Sequence, residues 1–196
     1  MELVTQDFAF KRAIARHPGS QQLPGDKTRG LAIVLLTVLL FVFAAIASGL
    51  RINGTHSFPV GFYCVSHKDP QKGDLVTVDP PALPLFMLAK NRGYLNVAYS
   101  PTPHLLKRLV GVAGDSVTID SAGVEVNGIR LANSTPRNCD GAGRPLRPYL
   151  LKDYILGPGE ILLMSDYSPE SFDARYFGPL QATTIESVII PLLTWN

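Results

Sequence analysis

The sequence predicts a mostly β, antiparallel domain carried on one N-terminal transmembrane helix, and three observations point that way. Residues 31–50 run for twenty positions without a charge, broken only by Thr37, Ser48 and Gly49. Beyond them, short β-branched and aromatic runs recur between turn formers, and the chain holds 17 glycines and 16 prolines; such punctuation marks strands joined by turns. Asn127-Gly128 lies between two of these runs, and this dipeptide tolerates the positive φ that both central positions of a type I′ hairpin need. With 196 residues, 46% hydrophobic and 17% charged, the chain has the balance of one ordered domain, which excludes disorder. Its formal net charge is +2 and its bases are scattered rather than striped, so it lacks the electrostatic footprint of a nucleic-acid binder.

Twenty residues at a helical rise of about 1.5 Å span roughly 30 Å, the hydrocarbon thickness of a bilayer. Residues 31–50 are therefore expected as the transmembrane helix and residues 1–30 as a poorly ordered tail. A cleavable signal peptide is the competing reading, because Ala45-Ile46-Ala47 has the small-x-small form of a cleavage site. The anchor is preferred: the leading segment is long and carries Glu2, Asp7 and Asp26, whereas signal peptides open with a short basic region and a briefer apolar core. Lys11, Arg12, Arg16, Lys27 and Arg29 precede the helix, and only Arg51 and Lys68 follow it closely. That excess of bases keeps the amino end in the cytoplasm, leaving residues 51–196 as the exported domain.

In the exported part, strands are expected at 61–66, 74–79, 105–112, 116–120, 124–126, 129–131, 161–164 and 185–190, with one helix at 83–91. Residues 133–148 read as a polar, Gly/Pro-rich loop. Cys64 and Cys139 fall in a compartment that permits a disulfide; spacing leaves open whether they pair or stay two small apolar side chains. The glycosylation-like patterns at Asn53 and Asn133 are short enough to arise by chance.

The stretch 53–63 is too crowded with turn formers to be helical. At about 3.3 to 3.6 Å per extended residue, the tether lets its Ser57 rise only about 20 Å above the bilayer. A serine hydroxyl needs a base to become nucleophilic. Of the four histidines, His17 precedes the membrane helix, His67 sits in a Ser-His-Lys-Asp turn, and His56 adjoins Ser57, where strand alternation points it away. His104 remains, with Lys107 as its rival. Lys107 shares a strand face with Leu105 and Leu109, while Arg108 lies between Leu106 and Val110, so periodicity leaves open which base is buried. Lysine is the better chemical choice, because arginine stays protonated whereas burial lowers a lysine by several units from about 10.4. A drop of about 2 units requires roughly 3 kcal/mol in favour of the neutral amine, within reach of an apolar strand. No metal or other cofactor is expected, since two cysteines and four histidines show no close ligand spacing.

Four blocks, taken in order, resemble the type I signal peptidase superfamily. They are Ser57-x-Pro59-x-Gly61-x-Tyr63, then Gly73-Asp74-Leu75-Val76, then the Lys107-Arg108-Leu109-Val110-Gly111-Val112-Ala113-Gly114-Asp115 run, then residues 165–178 with Ser165, Asp166, Ser171, Asp173 and Arg175. The form of residues 53–63 is similar to the conjugative-transfer branch, the TraF type. The resemblance implies a signal-peptidase-like antiparallel β domain with Ser57 as acylated nucleophile and Lys107 as general base. It also implies that the Thr55 hydroxyl helps the Ser57 backbone N–H stabilise the oxyanion, that Ser171 orients the lysine amine, and that Asp173 and Arg175 are a supporting pair whose main work is to hold a turn. Three departures from the wider family stand out: the proline follows Ser57 by two residues rather than three, Ala113 replaces a proline, and Ala174 replaces a serine. The first favours the conjugative branch, and the other two leave the dyad intact.

The implied function is a membrane-anchored serine endopeptidase of the bacterial inner membrane, with its catalytic domain in the periplasm. Its partners would be the lipid bilayer and an extended peptide segment of a membrane-embedded, pilin-like precursor, held by backbone hydrogen bonds with small residues near the cut. Water or a substrate amine would resolve the acyl-enzyme. The alternatives are a general leader peptidase and a catalytically idle assembly protein of a transfer apparatus.

Overall fold

The structure is a computed structural model that describes residues 25–95 and 104–195. Residues 1–24 of the expected tail lie outside the described residues, as does His17. The described chain separates into two compact units that divide after Ala44.

Helix α1, Asp26–Ala47, is long and apolar enough to cross a membrane, and its leucine, isoleucine, valine and phenylalanine side chains are exposed. It begins five residues earlier and ends three sooner than the apolar run suggested. Ser48 Oγ turns back to the Ala45 carbonyl at 2.8 Å, and Gly49 adopts φ 94°, the left-handed conformation that terminates helices at glycine. Leu50 thus opens a strand although hydropathy alone would prolong the helix.

Eleven strands follow: β1 Leu50–Asn53, β2 Val60–Ser66, β3 Leu75–Val78, β4 Leu105–Gly111, β5 Ser116–Asp120, β6 Gly123–Val126, β7 Ile129–Arg130, β8 Leu151–Ile155, β9 Glu160–Met164, β10 Leu180–Gln181 and β11 Ile185–Trp195. A seven-stranded sheet runs β1-β2-β11-β3-β4-β9-β10 and a four-stranded sheet runs β7-β6-β5-β8, with every pair antiparallel. The domain is therefore mostly β, as the sequence predicts. Asn127 and Gly128 have φ 52° and 77°, the double positive value of the expected hairpin. The expected helix at 83–91 is α2, Pro84–Asn91, with Leu83 as its N-cap. Strands β1, β8 and β10 and the four-residue α3, Ala174–Phe177, were not anticipated.

The main core joins Val76, Val78, Leu105, Leu109, Leu162 and Met164 of the large sheet to Val117, Ile119, Val124 and Val126 of the small one, with Phe86, Phe172 and Phe177 beside them. Burying each large side chain contributes about 1.5 to 3 kcal/mol. A second cluster, Phe58, Tyr63, Leu106 and Ile189, takes the alternate residues of β4 and β2. Strand β4 is thus covered on both faces. The outer end of the sheet differs: Leu50, Ile52, Val60, Phe62, Cys64, Ile190, Leu193 and Trp195 share one face by register. Ile52, Ile190, Leu193 and Trp195 are exposed there.

Candidate active site

The connection between β1 and β2 presents Ser57, and side chains hold it in shape. Asn53, 5% exposed, points its Nδ2 at the carbonyls of Thr55, Phe58 and Pro59 at 3.0, 3.1 and 3.1 Å. Its Oδ1 accepts the Thr55 N–H at 3.1 Å and the Thr55 hydroxyl at 2.8 Å. The Tyr63 hydroxyl donates to the Pro59 carbonyl at 2.6 Å, and the Ser165 hydroxyl donates to the Ser57 carbonyl. Phe58 drops into the second core cluster and carries Arg108 over its ring at 5.6 Å. Gly61 lets β2 lie close against β11, because a Cβ there would collide with the Leu193 carbonyl of β11.

Lys107 comes from the centre of β4. It lies opposite Val76, is 1% exposed, and its Nζ stands 3.2 Å from Ser57 Oγ. Burial pushes the amine down from 10.5 to about 8; the Asp173 charge opposes that shift and the Arg175 charge adds to it. The two bases that periodicity could not separate part company here. Arg108 turns outward, with Nε bound to both Asp166 oxygens at 3.1 and 3.0 Å and Nη1 donating to the Gly73 carbonyl at 2.9 Å. His104, the other candidate, stands just before β4 with Nδ1 3.0 Å from Glu186.

The segment 165–178 closes the site from the other side. Ser171 Oγ is 3.2 Å from Ser57 Oγ, so the Ser57 hydroxyl touches both Lys107 and Ser171. Asp173 and Arg175 are wholly buried. The guanidinium grips the carboxylate with two hydrogen bonds of 2.7 Å and reaches the carbonyls of Asn133, Pro169, Ser168 and Ser171. Asp173 also accepts the Ser165 N–H at 3.0 Å and, as the N-cap of α3, the Arg175 N–H at 3.2 Å. Gly178 ends α3 with φ 72°. The pair therefore ties together the turn that holds Ser171 and Ser165.

A cleft of about 410 Å³ opens beside Ser57 and is lined by Thr55, His56, Tyr94, Glu170, Ser171 and Phe172, among others. The Thr55 hydroxyl, expected at the oxyanion, donates its single proton to Asn53 here. Cys139 also lines the cleft, and Cys64 lies on β2; both thiols are free. Among the described residues, no group of three or more His, Cys, Asp or Glu side chains converges as a metal site would. The structure thus brings Ser57, Lys107, Ser171, Asp173 and Arg175 into one cluster and sets Thr55 at its edge. Sequence reasoning missed Asn53, legible only as a chance glycosylation pattern, and Ser165, which stood in a recognised block without a stated role.

Comparison with known proteins places this geometry in context. The model of the family described as signal peptidase, peptidase S26, matches residues 27–192. Two Escherichia coli proteins named plasmid transfer protein TraF are 42% identical over 85% of this chain and 94% of the relative, and 43% identical over 86% and 96%. The conjugal transfer protein TraF of Agrobacterium fabrum is 30% identical over 95% of this chain and 98% of its own length. A solved signal peptidase I from Enterococcus faecalis superposes with a TM-score of 0.37 at 22% identity, over 63% of this chain and 98% of that one, too loose a likeness to bear weight. The apolar helix and the family together make the protein membrane-anchored or exported. On the family match and the curated relatives, the chain belongs to the signal peptidase family, peptidase S26, and within it to the TraF type.

Proposed function

We propose that the protein is a membrane-anchored serine endopeptidase that matures exported precursors of a conjugative transfer system. The observation that carries the proposal is the buried Lys107 amine, held down to about 8 and lying 3.2 Å from the Ser57 hydroxyl. A neutral amine at that distance is a competent general base, and its lowered value brings it near working pH. Lys107 takes the Ser57 proton as Oγ attacks the scissile carbonyl. The Ser57 backbone N–H, with the Thr55 hydroxyl once it swings from Asn53, steadies the oxyanion. The resulting ammonium then protonates the leaving amine as the peptide C–N bond breaks, which leaves an acyl-Ser57 ester. Water or a substrate amine attacks that ester and gives its proton to Lys107, producing a linear or a joined product. Ser171 orients the reacting pair, while Asp173 and Arg175 fix Ser171 and Ser165.

The substrate follows from location and from the relatives' names. The proposed partner is an extended segment of a pilin-like, membrane-embedded precursor, bound in the cleft beside Ser57. Nine residues separate Ala47 from Ser57, so the tether keeps the nucleophile close to the lipid on the periplasmic side, with the amino end in the cytoplasm. The exposed apolar face of β1, β2 and β11 suits contact with that surface. Mass spectrometry of a co-expressed pilin-like precursor tests the reading: a shortened chain or ring with the unaltered protein and an untouched precursor with Ser57→Ala support it. Equal processing by both would overturn it.

A further inference from the structure

We propose that Asn53 is a positioning residue, whose side-chain amide presets the turn carrying Ser57 and parks the Thr55 hydroxyl where a forming oxyanion recruits it. The proposal rests on the reading of Ser57 as nucleophile. Between β1 and β2 the backbone carbonyls of Thr55, Ser57, Phe58 and Pro59 are all taken by side chains. Asn53 binds three of them, Ser165 binds that of Ser57, and Tyr63 adds a second bond to that of Pro59. Asn53 thus serves three of these four carbonyls and shares only that of Pro59, which ties the shape of the turn to its amide, since a buried carbonyl left without a donor costs about 1 to 3 kcal/mol.

The opposite end of the same amide faces Thr55. Asn53 Oδ1 accepts both the Thr55 N–H and the Thr55 hydroxyl. When that hydroxyl turns toward substrate, the N–H still satisfies Oδ1, so recruitment gives up one neutral hydrogen bond and strands no polar atom. Thr55 lines the cleft beside Ser57, within the turn that Asn53 holds. The one side chain therefore joins the orientation of the nucleophile to the readiness of the oxyanion donor. A merely structural asparagine would stabilise the turn without coupling to Thr55 in the reaction.

The experiment follows acylation of the full chain in detergent by the p-nitrophenyl ester of N-acetylalanine, read as a burst of nitrophenolate. In that step the Ser57 Oγ–acyl bond forms, the ester C–O bond breaks, and Lys107 receives the serine proton. Asn53→Ala is expected to lower the acylation rate about 10- to 100-fold, with little change in KM and no shift in the midpoint of the pH profile near 8. Thr55→Val is expected to lower it about tenfold, and the double variant to fall at least threefold short of the product of the two losses. Asn53→Asp keeps the acceptor for Thr55 but withdraws both donors from the loop carbonyls; it is expected to lose rate alike, and it replaces the alanine variant if that chain does not fold. A wild-type rate in the Asn53 variants, strictly multiplicative losses, or a displaced pH midpoint in Asn53→Ala, where no charge is added, would each overturn the assignment. A wild-type burst that survives Ser57→Ala would instead overturn the serine reading beneath it.

Discussion

Two basic side chains are buried in the cluster around Ser57 and Ser171, and the chain treats them in opposite ways. Arg175 is surrounded by acceptors, with two bonds to Asp173 and four to backbone carbonyls. Lys107 is buried on β4 opposite Val76 and reaches the hydroxyl of Ser57. A guanidinium cannot release its proton in a protein, so its burial demands full pairing. An ammonium can release one, and burial without a bonded carboxylate makes it do so. The contrast separates structure from the proposed chemistry: Arg175 holds the turn, while Lys107 is the proposed base.

The most severe way to break this contrast is to remove either partner of the reacting pair. Ser57→Ala and Lys107→Ala are each expected to reduce precursor maturation at least about 1,000-fold, the scale of losing a nucleophile or its base. Both proteins should remain in the membrane fraction. Immunoblots of precursor and product measure the effect, and maturation within tenfold of normal in either variant contradicts the proposed roles.

On the structural side, Arg175→Met strands the Asp173 carboxylate and four carbonyls in the interior. Removing one member of a buried pair costs about 3 to 5 kcal/mol, which denaturant midpoints of the folded domain measure directly. Arg175→Lys should recover little of this, because an ammonium lacks the fork that meets Asp173 and the carbonyls together. A loss below about 1 kcal/mol would mean that the turn is held by something else.

Strand β4 shows how much of this could be read from the chain and where reading stopped. Its existence was legible because strands and turn formers are local properties, whereas the blocks around Ser57 and Asp173 were legible only through the family resemblance. Which of Lys107 and Arg108 is buried was not legible. Leu106 packs in one cluster and Leu105, Leu109 and Val110 in the other, and a strand buried on both sides loses the period-two signal. Strand β1 was missed because its first residue, Leu50, closes the apolar run and the backbone of Gly49 marks the end of the helix. Strand β8 was masked by Lys152 and Asp153, the latter with φ 49° at a register shift. Asn53 gave no signal, since an asparagine in a turn has many uses and its five bonds appear only in three dimensions.

Deleting the lysine charge should have the opposite sign to deleting the arginine. The folded chain holds Lys107 at about 8, against 10.5 ordinarily, so between those values the unfolded chain binds more protons and stability rises with pH. Below pH 8 the folded state bears the whole penalty, about 3 kcal/mol. Lys107→Met removes it, so the inactive variant should be about 3 kcal/mol more stable at pH 7 and should lose the rise in stability between pH 8 and 10.5. Activity of the unaltered protein should climb with a midpoint near 8; a midpoint near 6.5 would move the role of base to His104.

The smallest expected effect lies where the two cations meet. Ser171 gives its carbonyl to Arg175 at 3.1 Å and sets its hydroxyl 3.2 Å from Ser57 Oγ, so its backbone serves the structural side and its side chain the chemical one. Ser171→Ala leaves the bond to Arg175 intact and removes one hydrogen bond between neutral hydroxyls, worth about 0.5 to 1.5 kcal/mol. The acylation rate should therefore fall about two- to tenfold, while the denaturation midpoint stays nearly fixed and the pH midpoint does not move, because no charge has changed. If stability fell instead and the rate held, Ser171 would belong to the turn alone, and the boundary between the two regions would lie at the Ser57 hydroxyl itself.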